Sequence, residues 1–257
     1  NSAKAAEYLL HCKELGISVL PPDINVGQGE FTAEGNAVRY GLYAIKSLGR
    51  PVIDSIIGER KKGGSYRTLQ DFIERTVQRD INKRAIENLI KAGACDGLDG
   101  NRHQMSIVYT SMVDDVVRRK KTGLEGQMSL FDFVGEEDKK DYEVHYPNVE
   151  EFPKEVLLGF EKEVLGIYLS GHPLEDYLGK MKKNVTANAA DFVREEESGT
   201  IRVTDNMHVV VGGMIAAKTV KYTRNNQAMA FLTVEDLTGS VEIIVFPKDY
   251  ELSLIHI

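Results

Sequence analysis

Gly41-Leu42-Tyr43-Ala44-Ile45-Lys46-Ser47-Leu48-Gly49-Arg50-Pro51-Val52-Ile53-Asp54-Ser55-Ile56-Ile57-Gly58 decides how this chain folds. Ala44 to Arg50 has room for a very short helix and a tight turn. Pro51 suits the first turn of a second helix, where no amide hydrogen is needed and φ is already helical. That helix is predicted to run to about Glu59. Leu42, Ile45 and Leu48 line up with Val52, Ile53, Ile56 and Ile57, which gives a helix, a glycine-containing hairpin and a helix. Gly49 is expected to let the backbone turn closely. The N–H groups that open the second helix should then point outward as an anion site, with Lys46 and Arg50 supplying charge beside it.

One such hairpin says little, because many helix pairs turn on a glycine. A second copy follows. Thr68 caps Leu69-Gln70-Asp71, and Asn82 caps a longer helix from Lys83 to Ala92. Ala85, Ile86, Leu89 and Ile90 share its apolar face, and Gly93-Ala94-Cys95-Asp96 ends it. Gly63-Gly64 marks the joint between the copies. Residues 39–112 are therefore predicted to form one helical module.

Charge separates along the chain. Residues 39–102 hold 13 Lys and Arg against 8 Asp and Glu, and residues 125–163 hold 4 against 12. A basic block on a chain of net charge −7 points to a phosphate-bearing partner or is a solvated face. A basic surface of this kind suits binding to a nucleic-acid backbone, which is salt-dependent and carries no sequence information.

N-terminal to the module, residues 2–15 read as a helix with Tyr8, Leu9, Cys12 and Leu15 on one face and Gly16 at its end. Ile17 to Leu20 is a short apolar run stopped by Pro21-Pro22. Phe31-Thr32-Ala33 and Ala37-Val38-Arg39-Tyr40 are predicted strands joined by Glu34-Gly35-Asn36. C-terminal to the module, residues 113–154 read as a linker. It carries Gln127-Met128-Ser129-Leu130-Phe131, between the basic run Arg118-Arg119-Lys120-Lys121 and the acidic run Glu136-Glu137-Asp138. Leu130 and Phe131 on so charged a segment are either a peptide for a partner's groove or a loop that folds back on its own domain.

Residues 155–180 show helical spacing at Val156, Leu157, Phe160, Val164 and Leu165. Gly171-His172-Pro173 breaks it, and Pro173 to Tyr177 starts another short helix. From residue 205 the period changes to two. Val209 to Ala216, continued by Thr219 to Tyr222, is the first predicted strand. Met229 to Asp236 is the second and Ser240 to Pro247 the third. Three such strands resemble the first half of an OB barrel, whose face binds single strands through aromatics and cations. Tyr222, Arg224 and Phe231 are the candidates here, although Phe231 also fits a core position.

The fold class is thus α+β and multidomain, a tandem helix-hairpin-helix module followed by a tether and an incomplete OB-type barrel. No apolar run approaches membrane-span length, so no membrane is expected. Cys12 and Cys95 are the only cysteines and read as buried free thiols of a reducing, cytoplasmic compartment. The six histidines form no metal pattern, and Asp114-Asp115 are consecutive helix residues that do not face each other, so no catalytic or metal residue is assigned.

Pro22-Asp23-Ile24-Asn25, Tyr40-Gly41-Leu42-Tyr43-Ala44-Ile45-Lys46 and Leu89-Ile90-Lys91-Ala92-Gly93-Ala94-Cys95-Asp96 resemble segments of the bacterial DNA polymerase III alpha subunits, the C-family replicative polymerases. Gln127 to Phe131 resembles that family's internal sliding-clamp motif, and Phe160 to Leu174 its segment between that motif and an OB domain. The first hairpin departs from the family at Ser47, where a second glycine is usual. The resemblance implies that residues 1–38 end a fingers region and that residues 39–112 bind duplex DNA through Lys46, Ser47, Leu48, Gly49, Arg50, Lys91 and Gly93. It implies sliding-clamp binding at 127–131, a connector at 155–204, and a partial OB fold at 205–251 that meets single strands. It also implies other replicase subunits as partners, a palm upstream that would use Mg2+, and no cofactor in these residues. Leu252 to Ile257 break the family pattern and resemble a translated sequencing adapter, so the chain is expected to be a fragment that polymerises nothing alone. Two other classes stay open. One is a stand-alone OB or helix-hairpin-helix binding protein. The other is a repair enzyme using Lys91 or Asp96.

Overall fold

The computed structural model describes residues 8, 11–12, 15–77, 81–124, 145–193 and 200–253. They fall into two compact units, divided between Gly171 and His172.

In the first unit, β1 (Ser18–Leu20), β2 (Thr32–Glu34) and β3 (Ala37–Arg39) form a small sheet with β3 central, parallel to β1 and antiparallel to β2. Four helices follow: α1 (Arg50–Gly63), α2 (Leu69–Thr76), α3 (Lys83–Lys91) and α4 (Arg102–Leu124). The two predicted caps are present. Thr68 Oγ1 accepts from Asp71 N at 3.0 Å, and Asn82 Oδ1 accepts from Ala85 N at 2.9 Å. Each satisfies an amide that the helix itself leaves without a partner. α4 packs on α2 and α3. It continues well past residue 112, where the linker was expected to begin, because Met112, Val113 and Val116 keep helical spacing and stay buried.

The core of this unit runs from Ile24 and Tyr40 through Ile53, Ile56, Leu69, Phe72, Ile86 and Leu89 to Met105, all almost fully buried. Val164, Leu165 and Ile167, which follow α5 (Lys154–Val164) or end it, belong to the same core. Their helical spacing suggested a connector that packs onto the body, and they do pack there: Tyr40 Oη donates to Leu165 O at 3.0 Å, and the buried Glu161 carboxylate accepts from Leu169 N at 2.7 Å and Ser170 N at 3.0 Å. The Pro22–Asn25 loop is pinned as well. Asn25 exchanges two hydrogen bonds with the Tyr66 backbone, and Arg60 donates to Ile24 O at 2.7 Å.

The second unit contains a 3-10 turn at Glu175–Tyr177, α6 (Leu178–Asn184), a second 3-10 turn at Ala189–Phe192, and an antiparallel meander. The meander is β4 (Met214–Tyr222), β5 (Ala228–Glu235) and β6 (Ser240–Val245), with β5 central. Among the described residues the sheet does not close into a barrel. β4 starts later than predicted because Val210 pairs elsewhere: its N–H donates to Thr186 Oγ1 and its carbonyl accepts from Thr186 N and Ala187 N. β6 ends before Phe246, and Pro247 opens a helix, α7 (Pro247–Ser253), that was not predicted. α7 packs on β5, where Ala230 and Val234 are buried, and brings Tyr250 with it.

Candidate nucleic-acid interface

The first hairpin has its helical turn earlier than its sequence suggested, and it reverses at a different residue. Leu42–Ala44 make one 3-10 turn, and Ile45 is already extended. The left-handed position belongs to Ser47, with φ 62°, while Gly49 has φ −72° and ψ 150°, an ordinary N-cap conformation. The expectation that Gly49 makes the close turn is therefore corrected. A Cβ at Gly49 would meet only Pro51 Cδ, at 3.6 Å. A serine held at left-handed φ costs roughly 1–2 kcal/mol, because its Cβ crowds the next carbonyl.

The turn presents a row of donors. Among the described residues, the amides of Ser47, Leu48, Gly49 and Arg50 donate to no protein acceptor. Ser47, Gly49 and Arg50 are exposed, and so is Lys46. Leu48 is buried and fixes the hairpin to the core, so its contribution to a ligand is limited to its backbone. Arg50 lies 4.7 Å from the Tyr43 ring centroid and 3.5 Å from Glu30. Both side chains of that ion pair are 72% exposed, so it contributes little and leaves the guanidinium able to turn to an anion. Consecutive amides around a left-handed residue, at the start of a helix and flanked by two cations, are the kind of arrangement that can take an anion.

The second turn is built differently. Gly93 has φ +75°, which only glycine adopts without strain. Arg102 covers it: a Cβ there would lie 2.2 Å from Arg102 Nη2. The guanidinium is held by Asp96 through Nε at 2.8 Å and Nη2 at 2.6 Å. Lys91 Nζ is 3.0 Å from Glu87 and 2.9 Å from Glu163. Burial works to lower the Lys91 pKa, but the hydrogen bonds to Glu163 and Glu87 outweigh it and hold the ammonium above its usual value. Lys46 and Arg50 share a surface with the free amides, whereas Lys91 is neutralised inside its own cluster.

Sequence reasoning passed over Asn88. It is buried on α3, and its Nδ2 donates to Lys46 O at 3.1 Å. A polar residue one place before Leu89, on a face otherwise made of Ala85, Ile86 and Leu89, was the available sign.

In the meander, the register separates the two aromatic candidates. Phe231 pairs with Thr219 and Ile244, while Tyr222 pairs with Ala228. Phe231 and residue 228 differ by an odd number, so the two rings project from opposite faces. Phe231 lies on the face away from Ala230 and Val234, beside Ile244, with Lys221 Nζ 4.5 Å from its ring centroid. Arg224 is exposed in the β4–β5 turn. The three candidates thus form no single platform. Gln127, Met128, Ser129, Leu130 and Phe131 lie outside the described residues.

Residues 16–105 match the family described as "Helix-hairpin-helix motif". More particularly, almost the whole chain is a relative of one region of DNA polymerase III alpha subunits. It is 36% identical over 251 residues to the DNA polymerase III subunit alpha of Borreliella burgdorferi, covering 98% of this chain and 21% of the relative. It is 35% identical over 256 residues to that of Saccharopolyspora erythraea, again 98% of this chain and 21% of the relative. With the Thermus aquaticus subunit it shares 34% identity over 255 residues, 98% of this chain and 20% of the relative. The chain spans about a fifth of the length of the curated relatives it matches. Among the described residues, no helix is long and apolar enough to cross a membrane.

Proposed function

We propose that this chain is the part of a replicative DNA polymerase that holds duplex DNA by its backbone and carries contacts to other parts of the replication machinery. The observation that carries the reading is the first hairpin: four amides with no acceptor among the described residues, beside Lys46 and Arg50, in a chain related to polymerase alpha subunits. The recognised group is phosphate, so the grip is independent of base sequence and weakens with salt. Template-directed synthesis belongs to the parent protein, with Mg2+ at a palm outside these residues. The chain alone holds DNA and does not extend a primer, and it works in the cytoplasm.

Gln127 to Phe131 is proposed as a sliding-clamp peptide. Burying Leu130 and Phe131 supplies roughly 1.5–3 kcal/mol each. That is a weak contact alone, and it becomes effective when the hairpin already grips the DNA that the clamp encircles. Phe231 with Lys221 is proposed as the single-strand contact, on the open face of a partial OB sheet. Tyr222 and Arg224 would serve only a separate strand path.

The repair-enzyme reading is disfavoured by the second turn. A nucleophilic lysine needs a lowered pKa, and Lys91 is held above its usual value. Asp96 is occupied by Arg102.

The test is binding of the chain to a labelled short duplex across a salt series. Lys46→Ala/Arg50→Ala is expected to weaken binding about tenfold and to lower the salt slope by about one for each phosphate that is no longer neutralised. Unchanged affinity and slope would remove the hairpin from the reading. Calorimetry against a sliding clamp, with Leu130→Ala/Phe131→Ala as control, tests the peptide separately.

A further inference from the structure

The first hairpin holds a conformation that its own residues disfavour. Ser47 sits at φ 62°, and no glycine occupies that position. Such a residue persists only where its surroundings fix it from several sides. Here the peptide units next to Ser47 are fixed three times. Lys46 N–H donates to Val164 O at 2.8 Å. Lys46 O accepts from Asn88 Nδ2 at 3.1 Å. Leu48, on the other side, is buried in the core. A carbonyl can only accept, so the Asn88 amide must present its NH2 end to Lys46, and neither Asp nor Leu could replace that donor.

We propose that Asn88 is the positioning residue of the DNA grip: its side chain holds the Lys46 carbonyl so that the amides of Ser47 to Arg50 stay turned toward a phosphate. The inference rests on the duplex-binding reading above and adds how that site is kept in shape. Asn88 belongs to α3, the helix of the second hairpin copy, and Val164 ends α5. Both elements that hold Lys46 therefore lie outside the hairpin, so the grip depends on how α3 and α5 are seated. Asn88 is 8% exposed, so it acts on the site through Lys46 rather than from the surface.

The mechanism predicts a specific dependence on Ser47. A glycine at that position adopts left-handed φ freely. It should need the Asn88 bond much less. Asn88→Leu removes the donor while keeping most of the side-chain volume. With Ser47 present it is expected to weaken duplex binding about three- to tenfold, the scale of one buried hydrogen bond, and to lower the salt slope. In the Ser47→Gly background the same change should cost less than about twofold. A general loss of stability would weaken both backgrounds alike.

The experiment is anisotropy titration of the 257-residue chain and these variants with a labelled short duplex, with circular dichroism confirming that each is folded. Should Asn88→Leu fail to fold, Asn88→Ala, which leaves a small cavity instead, carries the same expectation. A loss with Ser47 that Ser47→Gly relieves supports the proposal. Binding within twofold of wild type, or an equal loss in both backgrounds, overturns it. Wild-type binding that Lys46→Ala/Arg50→Ala fails to weaken would instead overturn the duplex-binding reading itself.

Discussion

Ser47-Leu48-Gly49-Arg50 and Ala92-Gly93-Ala94-Cys95 look alike as sequence, each a short turn with a glycine between helices and a cation nearby. The structure gives them opposite roles. The first turn is open. Its left-handed position is a serine, its amides meet no acceptor among the described residues, and its glycine is conformationally ordinary. The second is closed. Its glycine is the left-handed residue, Ala94 and Cys95 are buried, and the Arg102–Asp96 pair lies over it. A glycine beside a basic residue therefore marks a turn but says nothing about which way the turn faces. The partners of the cations decide that: Lys91 is taken by two carboxylates, and Lys46 by none among the described residues.

If this contrast is right, substitutions in the closed turn should cost stability and those in the open turn should cost affinity. The largest effect is expected for Gly93→Ala. It combines left-handed strain with a clash against an Arg102 that Asp96 and the Lys91 carbonyl hold in place, and should cost about 3 kcal/mol in urea unfolding followed by circular dichroism. Arg102→Ala should cost about 2 kcal/mol, below the usual cost of breaking a buried pair because Asp96 is partly exposed and regains water. Next comes Lys46→Ala/Arg50→Ala, at about 1.4 kcal/mol of duplex affinity with little change in stability. Gly49→Ala should be the smallest, within about 0.5 kcal/mol, since its φ is ordinary and a methyl group there meets only Pro51 at ordinary van der Waals distance. A large cost for Gly49→Ala alongside a small one for Gly93→Ala would reverse the assignment of the two turns.

The thiol of Cys95 gives an independent check on the closed turn. Burial pushes its pKa far up, and the neighbouring Asp96 and Asp23 charges push in the same direction. In the native chain at mildly alkaline pH, Cys95 should resist alkylation and react only on unfolding. Labelling as fast as that of a free thiol would mean that the second turn opens readily.

Much of the first unit was legible in the sequence because it rests on local signals. Thr68 and Asn82 announce their helices by capping chemistry, and Ala85, Ile86, Leu89 and Ile90 show the buried face of α3. The paired hairpins and the resemblance to polymerase alpha subunits were also readable from short motifs. The features that were not readable depend on distant contacts. Ser47 takes left-handed φ because Asn88 and Val164, far along the chain, hold its neighbour. Val164 and Leu165 join the first core through bonds to Lys46 and Tyr40 that no periodicity reveals. In the meander, alternation gave the three strands, but the late start of β4 depends on Val210 bonding to Thr186. The separation of Tyr222 from Phe231 needs the register of the β4–β5 pair, which a strand's own sequence does not contain.

The central claim is that a phosphate sits on the free amides of the first hairpin. It is tested most directly by amide NMR of the isotope-labelled chain during titration with a short duplex. With a phosphate seated there, the Ser47, Leu48, Gly49 and Arg50 amides shift first and furthest, while those of Lys91 and Gly93 move little. Shifts centred on Lys91 and Gly93, with the first hairpin unmoved, would contradict it.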